Sequence, residues 1–197
     1  MKTEKLSTKI IAGKYKGKIL ELPSLDVTRS SKAMLKESLF NVLQFDIIDK
    51  IFIESFAGSG SIGLEAISRD AKRAYFIELD KNSYQILLKN CKSIDMEKCQ
   101  TIQGNTFVQT PLILDFLKNS KDEIVLYVDP PFDYRDGMED VYRKSFSMIE
   151  NIESDNIFLI VVEHVSTLEI PITLGKFSLD KTRKFGKSAL SYYKYTK

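Results

Sequence analysis

An aspartate followed by two prolines and an aromatic ring, Asp129-Pro130-Pro131-Phe132, closes the apolar run Ile124–Asp129. Each prolyl ring restricts the residue before it to an extended conformation, so Asp129 and Pro130 are held stiffly. Neither proline has an N–H, which leaves carbonyls without a local donor. A fixed carboxylate, a fixed carbonyl and an aromatic face in one cleft suit a planar base bearing an NH2 group. Two acceptors then meet two N–H donors, and the ring offers a stacking surface. Upstream, Phe56-Ala57-Gly58-Ser59-Gly60-Ser61-Ile62-Gly63 sets Gly58, Gly60 and Gly63 in the spacing G-x-G-x-x-G between a strand and a helix. Missing side chains there let the backbone approach a ligand at a helix N-terminus. Glu78 follows twenty positions after Gly58, at the end of the next strand. A carboxylate at that place accepts hydrogen bonds from ribose hydroxyls. Loop and acid imply an adenosine-containing cofactor, NAD or S-adenosylmethionine. The Asp-Pro-Pro-Phe turn favours the second.

The pattern around these motifs alternates. Ile51–Ser55, Ala74–Glu78, Gln100–Gly104, Ile124–Asp129 and Ile157–Glu163 are predicted strands. Helices are predicted over Ser61–Arg69, Asn82–Cys91, Leu112–Asn119 and Met138–Ile149. Strand–helix repetition argues for a mostly parallel sheet covered on both sides. Phe177–Arg183 and Ala189–Tyr195, turning at Gly186, predict a final hairpin that adds antiparallel strands at one edge. At the start, Thr8–Ala12 and Lys18–Leu22 predict a small hairpin. Leu35, Leu39, Val42 and Leu43 mark an amphipathic helix over Ser31–Gln44, capped by Ser30 or Ser31.

Composition narrows the class. With 197 residues, 43% hydrophobic and 28% charged, the chain is an ordinary globular one. Its longest apolar run, Ile157–Val162, is far too short to span a bilayer, and Met1–Leu6 lacks the apolar stretch of a signal peptide. Cys91 and Cys99 read as free thiols of a cytoplasmic protein, and His164, the single histidine, reads as structural; no metal site is expected. Residues 1–18 carry a net +5 and residues 176–197 a net +6, so the middle is acidic within an overall +2. Basic ends interleaved with aromatic and glycine residues point to a polyanion such as nucleic acid.

Phe56-Ala57-Gly58-Ser59-Gly60, Glu78 and Asp129–Phe132 resemble, in that order, the motif series of the D/N-P-P-Y/F amino-methyltransferases. Nearly end to end, the chain resembles the RsmD family, bacterial enzymes that methylate N2 of a guanine in small-subunit rRNA. Lys9-Ile10-Ile11-Ala12-Gly13 with Lys16-Gly17-Lys18 carries that likeness, as does Lys36-Glu37-Ser38-Leu39-Phe40-Asn41. So do Gly63-Leu64-Glu65-Ala66 with Ser68-Arg69, and Phe185–Leu190 before Tyr192-Tyr193. The resemblance implies a Rossmann-like class I S-adenosylmethionine-dependent methyltransferase of the α/β class. Its mostly parallel seven-stranded sheet would end in an antiparallel hairpin strand. Residues 1–45 would form a basic hairpin-and-helix appendage and residues 46–197 the methyltransferase domain.

For the site, the resemblance implies Asp129, Pro130, Pro131 and Phe132 as catalytic residues. Glu54 would hold the methionine portion of S-adenosylmethionine, with Phe56, Gly58 and Gly60 along the cofactor, and Glu78 on its ribose. Asn105 would meet the adenine edge, unless it is only a helix cap. Lys9, Lys14, Lys16, Lys18, Arg29, Lys184 and Lys187 would contact 16S rRNA or an assembling small subunit, the protein acting as a monomer. This chain departs from the family with lysine at 9, 16 and 18 where arginine is favoured. It also has Arg29-Ser30-Ser31 and Met34 in place of Arg-Pro-Thr and a later arginine. Lysine keeps the charge and loses bidentate phosphate recognition. The rival readings are an adenine-N6 methyltransferase acting on DNA, an NAD-dependent oxidoreductase, and a noncatalytic RNA-binding assembly factor.

Overall fold

A computed structural model describes residues 6–23, 29–131 and 139–196. Five strands run parallel: β3 (Ile51–Ser55), β4 (Arg73–Glu78), β5 (Cys99–Gln103), β6 (Ile124–Val128) and β7 (Ile157–Val165). Every residue of β3 and β6 is buried, which is why these central strands are nearly unbroken apolar runs rather than alternating ones. β9 (Phe177–Phe185) and β10 (Ser188–Tyr195) complete the sheet with β8 (Thr173–Leu174), in the order β5-β4-β3-β6-β7-β10-β9-β8. From β3 the chain first builds outward through β4 and β5, then returns to lay β6 on the other side of β3. The C-terminal ends of β3 and β6 therefore flank the switch point, where open α/β sheets bind ligands.

The structure corrects several expectations. Among the described residues the sheet has eight strands rather than seven; the additional β8 is two residues long, too short to show any alternation in the sequence. The final hairpin does extend the sheet beyond β7 as expected, with its second strand, β10, next to β7 and antiparallel to both β7 and β9. α1 is Arg29–Leu43, continued by a 3-10 turn over Gln44–Ile47, so Ser30 and Ser31 lie inside the helix rather than capping it.

α2 (Ser61–Ser68), α3 (Lys81–Ile94) and α5 (Glu139–Glu150) fall where expected. α4 spans Thr106–Leu117 and begins six residues before the expected start. Its Pro111 suggests a break, yet Thr106, Thr110, Ile113, Leu114 and Leu117 form a buried stripe that holds the helix across it.

β1 (Ser7–Lys9) and β2 (Ile19–Glu21) pair as a separate two-stranded sheet. Ile10 and Leu20 from this hairpin and Leu39 and Phe40 from α1 share one core cluster with Phe52, Val125 and Tyr127. The hairpin is anchored to α2. The buried Glu65 carboxylate accepts the Ile11 and Ala12 N–H groups at 2.7 and 3.0 Å, and Ser68 Oγ donates to the Ala12 carbonyl at 2.6 Å. Among the described residues no helix is long and apolar enough to cross a membrane.

Candidate active site

The glycine loop joins β3 to α2 through three residues in the left-handed region, Phe56, Gly58 and Gly60. Its glycines serve different ends. A Cβ on Gly60 would stand 2.5 Å from Leu87 Cδ1, and one on Gly63 would stand 2.5 Å from Phe76 Cε1, so both allow α2 and α3 to pack closely on the sheet. Gly58, at φ +53, faces open space: a Cβ there would meet nothing within 4 Å. The opening is on the ligand edge, where a cofactor could lie against bare backbone.

Two carboxylates shape this loop. Glu54, buried in β3, accepts the N–H groups of Gly63 at 2.8 Å and Ile62 at 3.3 Å, and so caps the start of α2. A negative group there is also favoured by the helix dipole. Glu78, at the end of β4, accepts the Gly58 N–H at 2.7 Å through one oxygen and the Asp80 N–H at 2.7 Å through the other. The acid twenty residues downstream thus closes directly on the glycine. Phe56 meets Phe107 of α4 edge to face at 5.7 Å, and Ser55 Oγ bonds Thr110 Oγ1 at 2.9 Å. Exposed Asn105 caps α4, its Oδ1 accepting the Phe107 N–H at 2.9 Å.

Asp129 leaves the sheet beside this loop. Val128 is the register partner of Ser55, and the Asp129 N–H reaches the Ser55 carbonyl at 3.4 Å. Asp129 is half-buried, Pro130 buried and Pro131 exposed; Phe132 lies outside the described residues. Two residues earlier on β6, fully buried Tyr127 donates a hydrogen bond to Glu163 of β7. Burial, with the charges of Glu163 and Asp129, holds the Tyr127 phenol well above its ordinary pKa, so it remains a donor. Tyr142 of α5 accepts the Val165 N–H at 3.3 Å, and burial raises its pKa as well.

Sequence reasoning does not single out Tyr127, Tyr142 or Glu163. A signal exists for one of them: Glu163 directly follows a run of six apolar residues, an acid at the end of a strand read as buried, and the structure leaves it only 2% exposed.

The basic residues separate into two groups. Lys9 at the end of β1 and Lys14, Lys16 and Lys18 in the β1–β2 connection are exposed, and the Lys14 N–H bonds the Ser68 carbonyl at the far end of α2 from the glycine loop. Exposed Lys184 and Lys187 flank the β9–β10 turn. Because Ser188 pairs with Val165 at the end of β7, that turn stands on the same sheet edge as Asp129. Arg29 opens α1, and its side chain lies outside the described part of the structure. His164 is structural, as expected. Its Nδ1 faces the Val165 carbonyl at 2.9 Å and so carries the proton, leaving Nε2 to accept from Ser191 Oγ at 2.7 Å.

A strand order that turns back at β3, a glycine loop closed by an acid and an Asp-Pro-Pro turn beside it define a Rossmann-like methyltransferase fold. Solved structures agree. The chain superposes on yhhF from Escherichia coli, a candidate methyltransferase, with a TM-score of 0.73 at 28% identity, covering 96% of this chain and 98% of that one. The family described as Conserved hypothetical protein 95 matches residues 8–194. Ribosomal RNA small subunit methyltransferase D of Escherichia coli is 30% identical over 187 residues, 94% of this chain and 88% of that protein. Its Haemophilus influenzae counterpart is 38% identical over 129 residues, a stretch spanning 64% of either chain. The chain belongs to this methyltransferase D family, the RsmD family.

Proposed function

We propose that the chain methylates the exocyclic N2 of a guanine in 16S ribosomal RNA, with S-adenosylmethionine as methyl donor. The observation that supports the reading is the pairing of β3 with β6, by which the chain leaves β6 at Asp129 on the same sheet end where β3 leads into the loop that carries Gly58. Membership of a family whose relatives are small-subunit rRNA methyltransferases supports the choice of substrate.

The open backbone at Gly58 and the carboxylate of Glu78 fit the cofactor. Glu78 would take its ribose hydroxyls, Gly58, Gly60 and Phe56 would line it, Glu54 would support the methionine end, and Asn105 would meet the adenine edge. Bound S-adenosylmethionine supplies a methyl already activated on a sulfonium. The protein's task is therefore the amine, whose lone pair is delocalised into the base. Asp129 and the Pro130 carbonyl accept hydrogen bonds from the amino group, draw the nitrogen toward tetrahedral geometry and offset the positive charge that develops on it. Preorganised contacts of this kind contribute about 3–4 kcal/mol each. Pro131 stiffens the turn, and Phe132 would stack on a base splayed out of the RNA, for about 1–3 kcal/mol.

Residues 1–45 would form an RNA-facing appendage of the methyltransferase domain at 46–197. Lys9, Lys14, Lys16, Lys18, Arg29, Lys184 and Lys187 would meet phosphates of 16S rRNA or of an assembling small subunit. We assign a monomer acting in the cytoplasm.

The test is to incubate the protein with methyl-labelled S-adenosylmethionine and, separately, small-subunit particles, naked rRNA and DNA, then identify the labelled nucleoside. N2-methylguanosine from the rRNA is expected. Labelled N6-methyladenine in DNA would replace the substrate assignment, and binding of RNA without any transfer would leave an assembly factor.

A further inference from the structure

Beneath Asp129 lies a polar pair that folding alone does not call for. Tyr127 and Glu163 sit on adjacent central strands, both almost wholly buried, with the phenol donating to the carboxylate. Burying a hydroxyl and an ionised carboxylate in a sheet core costs several kcal/mol unless they are well bonded, and two apolar side chains would fill the space without that cost.

Their placement relative to Asp129 follows from register. Val128 pairs with Val162, so Asp129, the first residue past the end of β6, follows on beside the β7 segment that carries Glu163. Alternation puts both on the face that carries Tyr127 and Val161. On the other flank Tyr127 pairs with Glu54 of β3. Three carboxylates, Glu54, Asp129 and Glu163, thus surround one buried phenol, and all three raise its pKa, as burial does first. The phenol keeps its proton and donates it in the hydrogen bond to Glu163.

We propose that Glu163, anchored by Tyr127, is a positioning residue for methyl transfer: its fixed negative charge acts through Asp129 on the reacting nitrogen. During transfer the nitrogen gains a bond to the methyl carbon as the carbon–sulfur bond breaks. It carries positive charge until it gives a proton to water. A second buried carboxylate behind Asp129 strengthens the field that favours this charge, in a region where low dielectric makes it effective. The inference rests on the methyltransferase reading above.

The test uses Glu163→Gln, whose amide oxygen still accepts the Tyr127 hydrogen bond while the carboxyl is gone, and Tyr127→Phe, which keeps the carboxyl and removes its anchor. Steady-state methylation of small-subunit rRNA, calorimetric S-adenosylmethionine affinity and thermal melting are measured for both. Glu163→Gln is expected to lower kcat about tenfold or more, with cofactor affinity and RNA KM changing less than about threefold. Tyr127→Phe is expected to show a smaller fall of the same kind. Unchanged kcat in Glu163→Gln would overturn the inference and leave the enzyme reading standing. A loss of cofactor affinity and melting temperature in step with kcat would also overturn it, by showing a packing role. Absence of transfer by the wild-type protein, with S-adenosylmethionine bound, would instead defeat the substrate reading.

Discussion

Glu65 of α2 and Lys36 of α1 form a buried ion pair at 3.6 Å, with side-chain exposures of 0% and 3%. The same carboxylate takes the Arg69 Nε–H at 2.9 Å and two backbone N–H groups of the N-terminal hairpin. Lys36 adds a bond to the Lys9 carbonyl at 2.7 Å. One acid therefore ties together the helix behind the glycine loop, the helix before β3 and the hairpin. Burial lowers the pKa of Lys36, with Glu65 acting in the opposite direction. Removing the acid would strand a buried ammonium and two amide donors. Glu65→Ala is expected to destabilise the protein by about 3–5 kcal/mol, read from the midpoint of urea unfolding. A change under about 1 kcal/mol would mean the pair is not structurally important.

The catalytic assignment predicts a separation of turnover from cofactor binding. Asp129→Ala should cut kcat by about two to three orders of magnitude while calorimetric S-adenosylmethionine affinity stays within a few-fold. The backbone bond from Asp129 to Ser55 is one that alanine keeps. Equal methyl transfer by variant and wild type would refute the role.

Gly58 and Gly63 predict different failures. Gly58→Ala adds a methyl into open space, at a backbone cost of about 1–2 kcal/mol for a left-handed residue, and should weaken cofactor binding most. Gly63→Ala drives a methyl against the Phe76 ring and should lower the melting temperature most. The reverse ranking in paired calorimetry and melting curves would contradict the division of roles.

His164 predicts a pH effect on stability. Burial lowers its pKa from the ordinary imidazole value, assisted by Lys184 and opposed by its bond to Val165. The unfolded chain therefore binds a proton that the folded one resists, and stability is complete above about pH 6.5 and declines as pH falls below it. The melting temperature should drop as the solution is taken from about pH 7.5 to about pH 5.5, and His164→Gln should flatten that drop. Parallel curves for the two proteins would show that another group is responsible.

The two basic turns predict distinct defects. Lys184→Glu with Lys187→Glu, at the edge shared with Asp129, should weaken RNA binding and also lower turnover at saturating RNA. Lys14→Glu with Lys16→Glu should weaken binding alone. In both, the salt dependence of binding should become shallower, by about one unit for each phosphate no longer neutralised. Unchanged salt slopes would remove these lysines from the interface.

Motifs of local origin are legible in the residues. G-x-G-x-x-G and Asp-Pro-Pro act through backbone freedom and ring constraint, which belong to the residues themselves, so their places at strand ends can be inferred. The apolar runs of β3, β6 and β7 similarly announce buried strands. The start of α4 is not legible, because Pro111 is a local breaker and what overrides it is a stripe of buried packing made only in the folded chain. β8 escapes notice because two residues carry no pattern.

Residue types and their spacing carry the identity of the chemical groups and the class of fold, since spacing, periodicity and ring geometry are encoded locally. How distant groups meet is a property of the folded chain. Glu78 closes on Gly58 because β4 pairs with β3, Tyr127 finds Glu163 thirty-six residues away across β6 and β7, and Glu65 gathers a hairpin more than fifty residues before it. Those encounters depend on strand register and helix docking, and no local rule of spacing contains them.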